Sequence, residues 1–132
     1  MRGDSPPVGR VLVVDDDERV AKVIAGMLER LAHEVTVSTN PEDALALFRG
    51  DPAYFDLVLT DLSMPQLSGL DLGRQILAIR PDAAVVLLTG FSADLTPDRV
   101  RALGFRELVQ KPVTLASLAD VVSRAWGAAG DA

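Results

Sequence analysis

The feature that most restricts this chain is a repeated change of period. From Arg10 onward, apolar runs of strand length alternate five times with segments whose apolar residues recur at i, i+3 and i+4. Strands separated by crossover helices pair in parallel, with helices covering both faces of the sheet. The expected fold is therefore α/β: a doubly wound, five-stranded parallel sheet with five helices on its two faces; the strand order assumed for it is 2-1-3-4-5, which makes strands one and three neighbours. At 132 residues with 48% hydrophobic composition, the chain is long enough for one packed domain and too short for two.

The elements can be read in order. Strand one is Val11 to Val14, followed by Asp15, Asp16 and Asp17 and a helix whose buried face is expected at Val20, Val23, Ile24, Met27, Leu28 and Leu31. That helix should end near His33, which the reading leaves at the surface. Val35 and Val37 alternate with polar residues, as in a half-exposed edge strand. Asn40 and Pro41 cap a helix that buries Ala44, Leu45 and Phe48. Asp56 to Thr60 is the third strand, and the next helix buries Leu72, Ile76 and Ile79 before Pro81 stops it. Ala84 to Thr89 is apolar throughout and so central. Thr96 and Pro97 cap a short helix with Leu103 as its expected buried residue and Gly104 at its end. Glu107 to Gln110 is the other edge strand, and Thr114 caps a last helix burying Leu115, Leu118, Ala119, Val122 and Trp126. The domain is expected over residues 10–126, with polar, small-residue tails at 1–9 and 127–132.

Ligands of an open parallel sheet bind beyond the carboxyl ends of the strands, where strand order reverses. The residues expected there are Asp15 and Asp16 after strand one, Asp61 at the end of strand three, Thr89 at the end of strand four and Lys111 after strand five. Close carboxylates repel by roughly 4 kcal/mol per pair at an intermediate dielectric, which a divalent cation relieves. Oxygen-only ligands suit Mg²⁺, with Mn²⁺ as an alternative. Asp61 is then placed as a nucleophile toward a phosphoryl group, forming an acyl phosphate. Thr89, Lys111 and the backbone N–H groups of Leu62, Ser63 and Gly90 are expected to cradle the phosphoryl oxygens.

These residues carry a resemblance. Val-Val-Asp-Asp-Asp at 13–17, Asp61 within Thr-Asp-Leu-Ser-Met-Pro-Gln-Leu-Ser-Gly, Leu-Leu-Thr-Gly at 87–90 and Lys111-Pro112 resemble the receiver domain of two-component response regulators. The resemblance implies a flavodoxin-like fold. It also implies phosphorylation of Asp61 by a sensor histidine kinase or histidine phosphotransfer protein. Mg²⁺ would be held by Asp16, Asp61 and the Ser63 backbone carbonyl, with Asp15 acting through water, and Thr89 and Lys111 would read the phosphoryl group. A cis bond is expected at Pro112. The family's usual aromatic switch residue is replaced here by Leu108, so Thr89 must signal by another route, for which Phe91 is a candidate alongside a plain packing role. The run Leu-Thr-Gly-Phe-Ser resembles receivers that work with hybrid sensor kinases. Output is expected through a downstream protein or a homodimer, using the face made by the fourth helix, fifth strand and fifth helix.

Other classes fit less well. A formal charge of −6 and a pI near 4.6 lack the basic stripe of a nucleic-acid binder. The absence of cysteine removes disulfide and thiolate sites, and no signal peptide or membrane-length run is present, so a cytoplasmic protein is expected. Three acids after strand one would repel the phosphates of a dinucleotide or flavin. A phosphohydrolase working through an aspartyl phosphate would usually carry a second acid two residues after the nucleophile, where this chain has Ser63. A scaffold that is never phosphorylated would be expected to lack the acceptor or one of the acids, and all are present. The residues also have structural readings: an aspartate after strand one or three can serve as a helix or turn cap, Thr89 as a strand-end hydroxyl and Lys111 as a solvated lysine.

Overall fold

The computed structural model describes residues 9–90 and 95–130, with side chains described as far as Ala125. Five parallel strands, β1 (Arg10–Val14), β2 (Glu34–Ser38), β3 (Leu57–Asp61), β4 (Val85–Thr89) and β5 (Glu107–Gln110), form one sheet in the order β2-β1-β3-β4-β5. Helices α1 (Glu18–Arg30), α2 (Pro41–Gly50), α3 (Gly69–Ile79), α4 (Pro97–Ala102) and α5 (Leu115–Gly130) provide the crossovers. The expected topology is the observed one. β1, β3 and β4 are buried along nearly their whole length because both faces are covered, which is why they read as unbroken apolar runs.

Side chains alternate across the sheet and build two cores. Leu12, Val14, Val58, Val85 and Leu87 pack with Leu45, Phe48, Leu72 and Ile76 of α2 and α3. Val11, Val13, Leu57, Leu59, Val86 and Leu88 pack with Ile24, Leu28, Leu118 and Val122 of α1 and α5. Fully burying each such side chain contributes about 1.5–3 kcal/mol, so the central strands anchor whatever their ends present.

The structure departs from the sequence reading at several points. In α1 the buried residues are Ala21, Ile24, Ala25 and Leu28, while Val23 is 57% exposed. Small alanines let the helix lie close to the sheet, and this turns Val23 outward. In α4 the buried residue is Val100, and Leu103 is exposed at the helix end. Gly104 there takes φ +102°, a conformation that favours glycine, and the turn sends Phe105 into the core instead. His33 is buried, not a surface residue: Ala32 adopts φ 72°, the His33 N–H donates to the Leu28 carbonyl at 3.0 Å, and Nδ1 accepts the Gly9 N–H at 3.2 Å. Helix α5 continues through Gly130, beyond the expected boundary at Trp126. The expectations for residues 1–8, Phe91 and the Trp126 side chain fall outside what the structure describes.

Candidate functional site

Strand register brings the site together. Val14 pairs with Thr60 across β1 and β3, Asp61 with Leu88 across β3 and β4, and Thr89 with Gln110 across β4 and β5. Asp15, Asp61, Thr89 and Lys111 therefore leave one edge of the sheet side by side. Asp15 and Asp61 are buried, while Asp16 is exposed. One carboxylate oxygen from each of Asp15, Asp16 and Asp61 lies within 4.8 Å of the other two. At that separation each pair of like charges costs about 3–4 kcal/mol at an effective dielectric near 20.

The Lys111 ammonium partly answers this repulsion, lying 2.9 Å from Asp15 Oδ2 and 3.0 Å from Asp61 Oδ1. Burial pushes the Asp61 pKa up; Asp15 and Asp16 add to that rise, and the hydrogen bond from Lys111 only partly opposes it. Burial acts to lower the Lys111 pKa, yet its bonds to Asp15 and Asp61 outweigh burial and hold it above the ordinary lysine value. The three acids after β1 divide the work. Asp17 is a helix cap, accepting the N–H groups of Arg19 and Val20 at 3.0 and 3.4 Å. Asp15 is fixed by the Asp17 N–H at 2.9 Å, and Asp16 stays open to solvent.

The Thr89 hydroxyl is the one buried side-chain polar atom among the described residues without a hydrogen-bond partner. Leaving such a group unsatisfied costs about 1–3 kcal/mol, which an arriving oxygen acceptor would recover. The expected cradle is smaller than the sequence suggested, because the Leu62 N–H is already donated to the Leu88 carbonyl at 2.8 Å. Ser63 lies exposed on the loop after β3. Gly90 is also exposed, and a Cβ there would meet no atom within 4 Å, so the position is open with or without a side chain. The Lys111–Pro112 bond is cis, as expected.

One positioning residue was missed. A Cβ on Gly69 would collide with the Asp61 carbonyl oxygen, and the Gly69 N–H donates to the Leu62 carbonyl at 2.8 Å. Gly69 thus lets α3 begin directly against the Asp61 backbone. Its signal was present in the sequence as the glycine closing the loop after Asp61. A second feature is a groove of about 480 Å³ beside the site, where Val20, Val23 and Ile24 of α1 face Pro112 and Val113, with Arg19 and Lys111 at its margin. The exposure of Val23 belongs to this groove.

The donor set is oxygen only, and its clustered negative charge fits a hard divalent cation. The family model described as response regulator receiver domain matches residues 11–123. The chain is 36% identical over 116 residues to the DNA-binding transcriptional regulator NtrC of Azospirillum brasilense, covering 87% of this chain and 24% of that protein. It is 29% identical over 127 residues to the aerobic respiration control sensor protein ArcB of Escherichia coli, covering 95% of this chain and 16% of ArcB. The chain thus spans well under half the length of these two relatives. A response regulator receiver domain protein from Clostridium thermocellum has the same fold, with a TM-score of 0.87 at 31% identity over 93% of this chain and 98% of that one.

Proposed function

The chain belongs to the response regulator receiver domain family, and from that membership we propose that it is a phosphorylation-dependent signalling module whose acceptor is Asp61. The observation that carries this reading is the buried Asp61 carboxylate, held by Lys111 beside two further acids. The unpartnered Thr89 hydroxyl, one strand away, adds to it. In the proposed step an Asp61 oxygen attacks the phosphorus of a partner's phosphohistidine. The P–N bond breaks with its electron pair kept by the imidazole, which takes up a proton, and an acyl phosphate remains on Asp61.

Receiver domains bind Mg²⁺ through an aspartate cluster, and here Asp15, Asp16, Asp61 and the Ser63 carbonyl would hold it. When bound, the cation neutralises charge on the phosphoryl oxygens. Thr89 donates to one of those oxygens and Lys111 to another, so both side chains change partners on phosphorylation. The result is a population shift in β4, α4, β5 and α5 that a downstream partner distinguishes. The chain turns over no outside substrate; acceptance and loss of the phosphoryl group are its own chemistry. The donor is a sensor histidine kinase or a histidine phosphotransfer protein, and likeness to part of a sensor protein supports that class. The apolar groove beside Lys111 suits such a donor.

Beryllium trifluoride, a tetrahedral mimic of a carboxylate-bound phosphoryl group, tests the site without a donor. With Mg²⁺ it should raise the melting temperature of the wild type by several degrees and leave Asp61→Asn unmoved. An equal rise in both proteins, or none in either, would remove Asp61 from the role.

A further inference from the structure

Asp15 is the most deeply buried of the three clustered acids, at 1% exposure, yet it lies one residue beyond the end of β1. Its carboxylate meets Asp17 and Lys111, which both stand outside the strands. The main chain of Asp15 is held from another side. Its N–H donates to the Ser38 carbonyl at 3.2 Å, one rung past the last β1–β2 pair, Val14 and Ser38. That carbonyl belongs to the Ser38–Thr39 peptide, the first peptide of the turn into α2. A side chain closes this turn: Ser38 is buried, and its Oγ donates to the Asn40 carbonyl at 2.9 Å and accepts the Asn40 N–H at 3.4 Å. Asn40 is itself anchored, because its Oδ1 accepts the N–H groups of Glu42 and Asp43 at 2.8 and 3.1 Å and its carbonyl accepts the Ala44 N–H at 3.0 Å. Ala44, Leu45 and Phe48 then fix α2 in the same core as Val14. The Ser38 hydroxyl therefore ties the direction of one peptide to a helix that cannot easily shift.

We infer that Ser38 is a positioning residue for the acidic cluster: by closing the β2–α2 turn it aims the carbonyl that fixes the Asp15 main chain, and so sets how well Asp15, Asp16 and Asp61 together hold a divalent cation. Its hydroxyl bonds only to the Asn40 main chain among the described residues, so the effect on the carboxylates runs through the backbone. Removing it frees the Asn40 N–H and lets the Ser38–Thr39 peptide turn, which withdraws the acceptor from the Asp15 N–H. Groups that orient a metal's ligands govern its affinity even though they do not touch it. The inference rests on the cation reading of the cluster only for the effect on the metal; the hold on Asp15 exists without it.

The test measures Mg²⁺ binding by isothermal titration calorimetry, and hydrogen exchange of the Asp15 N–H by NMR in the metal-free protein, both on the whole chain. Ser38→Ala should weaken Mg²⁺ binding about fivefold or more and speed Asp15 exchange about tenfold. Ser38→Thr restores the hydroxyl and should stay within about twofold of the wild type in both measurements. Ser38→Cys, which keeps the shape of the side chain but donates weakly, should fall between them. Asn40→Ala removes the α2 cap and leaves the main-chain partners of Ser38 in place, so it should lower the urea midpoint while keeping Mg²⁺ affinity within about twofold. Wild-type Mg²⁺ affinity in Ser38→Ala, an equal loss in Asn40→Ala, or no recovery in Ser38→Thr would overturn the inference. If the wild type binds no Mg²⁺, the cation reading falls; faster Asp15 exchange in Ser38→Ala would then still uphold the hold on Asp15, and unchanged exchange would overturn it.

Discussion

Asp15 directs its two carboxylate oxygens to different partners: one accepts the Asp17 N–H and the other meets the Lys111 ammonium. Without Lys111, Asp15 and Asp61 would face each other across the site with no cation between them. Lys111→Ala should therefore lower metal-free stability by about 1–3 kcal/mol, less than a fully buried pair because the lysine is partly exposed. Mg²⁺ should raise its melting temperature more than that of the wild type, and equal gains in thermal melts would contradict this. Gly69→Ala pushes a methyl group into the Asp61 backbone and should cost about 1–3 kcal/mol while slowing acceptor labelling, measured by denaturant midpoints and timed intact mass. His33 carries a pH dependence of its own. Burial lowers its pKa from 6.5, so the folded state favours the neutral ring that accepts the Gly9 N–H. Its contribution is complete above pH 6.5 and is lost as the pH falls toward the depressed folded value. Urea midpoints should fall between pH 6.5 and 5 in the wild type, and fall less in His33→Gln.

At the scale of elements, the short helix α4 shows what a linear reading can and cannot see. Thr96, Pro97 and Gly104 marked its ends correctly, because caps and a positive-φ glycine act through local backbone chemistry. The buried residue did not follow, since six helical residues are too few for a face to repeat, and the turn at Gly104 moved Phe105 into the core. Val100→Ala should cost about 1–3 kcal/mol and Leu103→Ala within about 0.5, read from denaturant midpoints. The reverse order would contradict the observed register. In the same way, Asp15, Asp61, Thr89 and Lys111 were legible because strand ends in a parallel sheet have a fixed destination. The Leu62 N–H and the role of Gly69 were not, because each depends on a backbone contact between segments that the sequence does not align. The separate duties of Asp15, Asp16 and Asp17 were also hidden, since three identical residues become distinct only once α1 starts at Glu18.

On the scale of the whole molecule, an acidic chain has gathered its most tightly packed carboxylates at one edge of the sheet, and the proposed output face of α4, β5 and α5 lies at the β5 end of the strand order. The β4–β5 pair joins the two, with Thr89 at the first and Leu108 within the second. Such an arrangement performs a signalling function if the acceptor can be charged and the second face responds. Everything in the account depends on the first of these. The most direct measurement is intact mass after incubation with acetyl phosphate, with and without Mg²⁺, for the wild type and Asp61→Asn. The account predicts a metal-dependent gain of one phosphoryl group in the wild type and none in the variant. A folded wild type that gains nothing under any condition, or a variant that gains the same group, would contradict it.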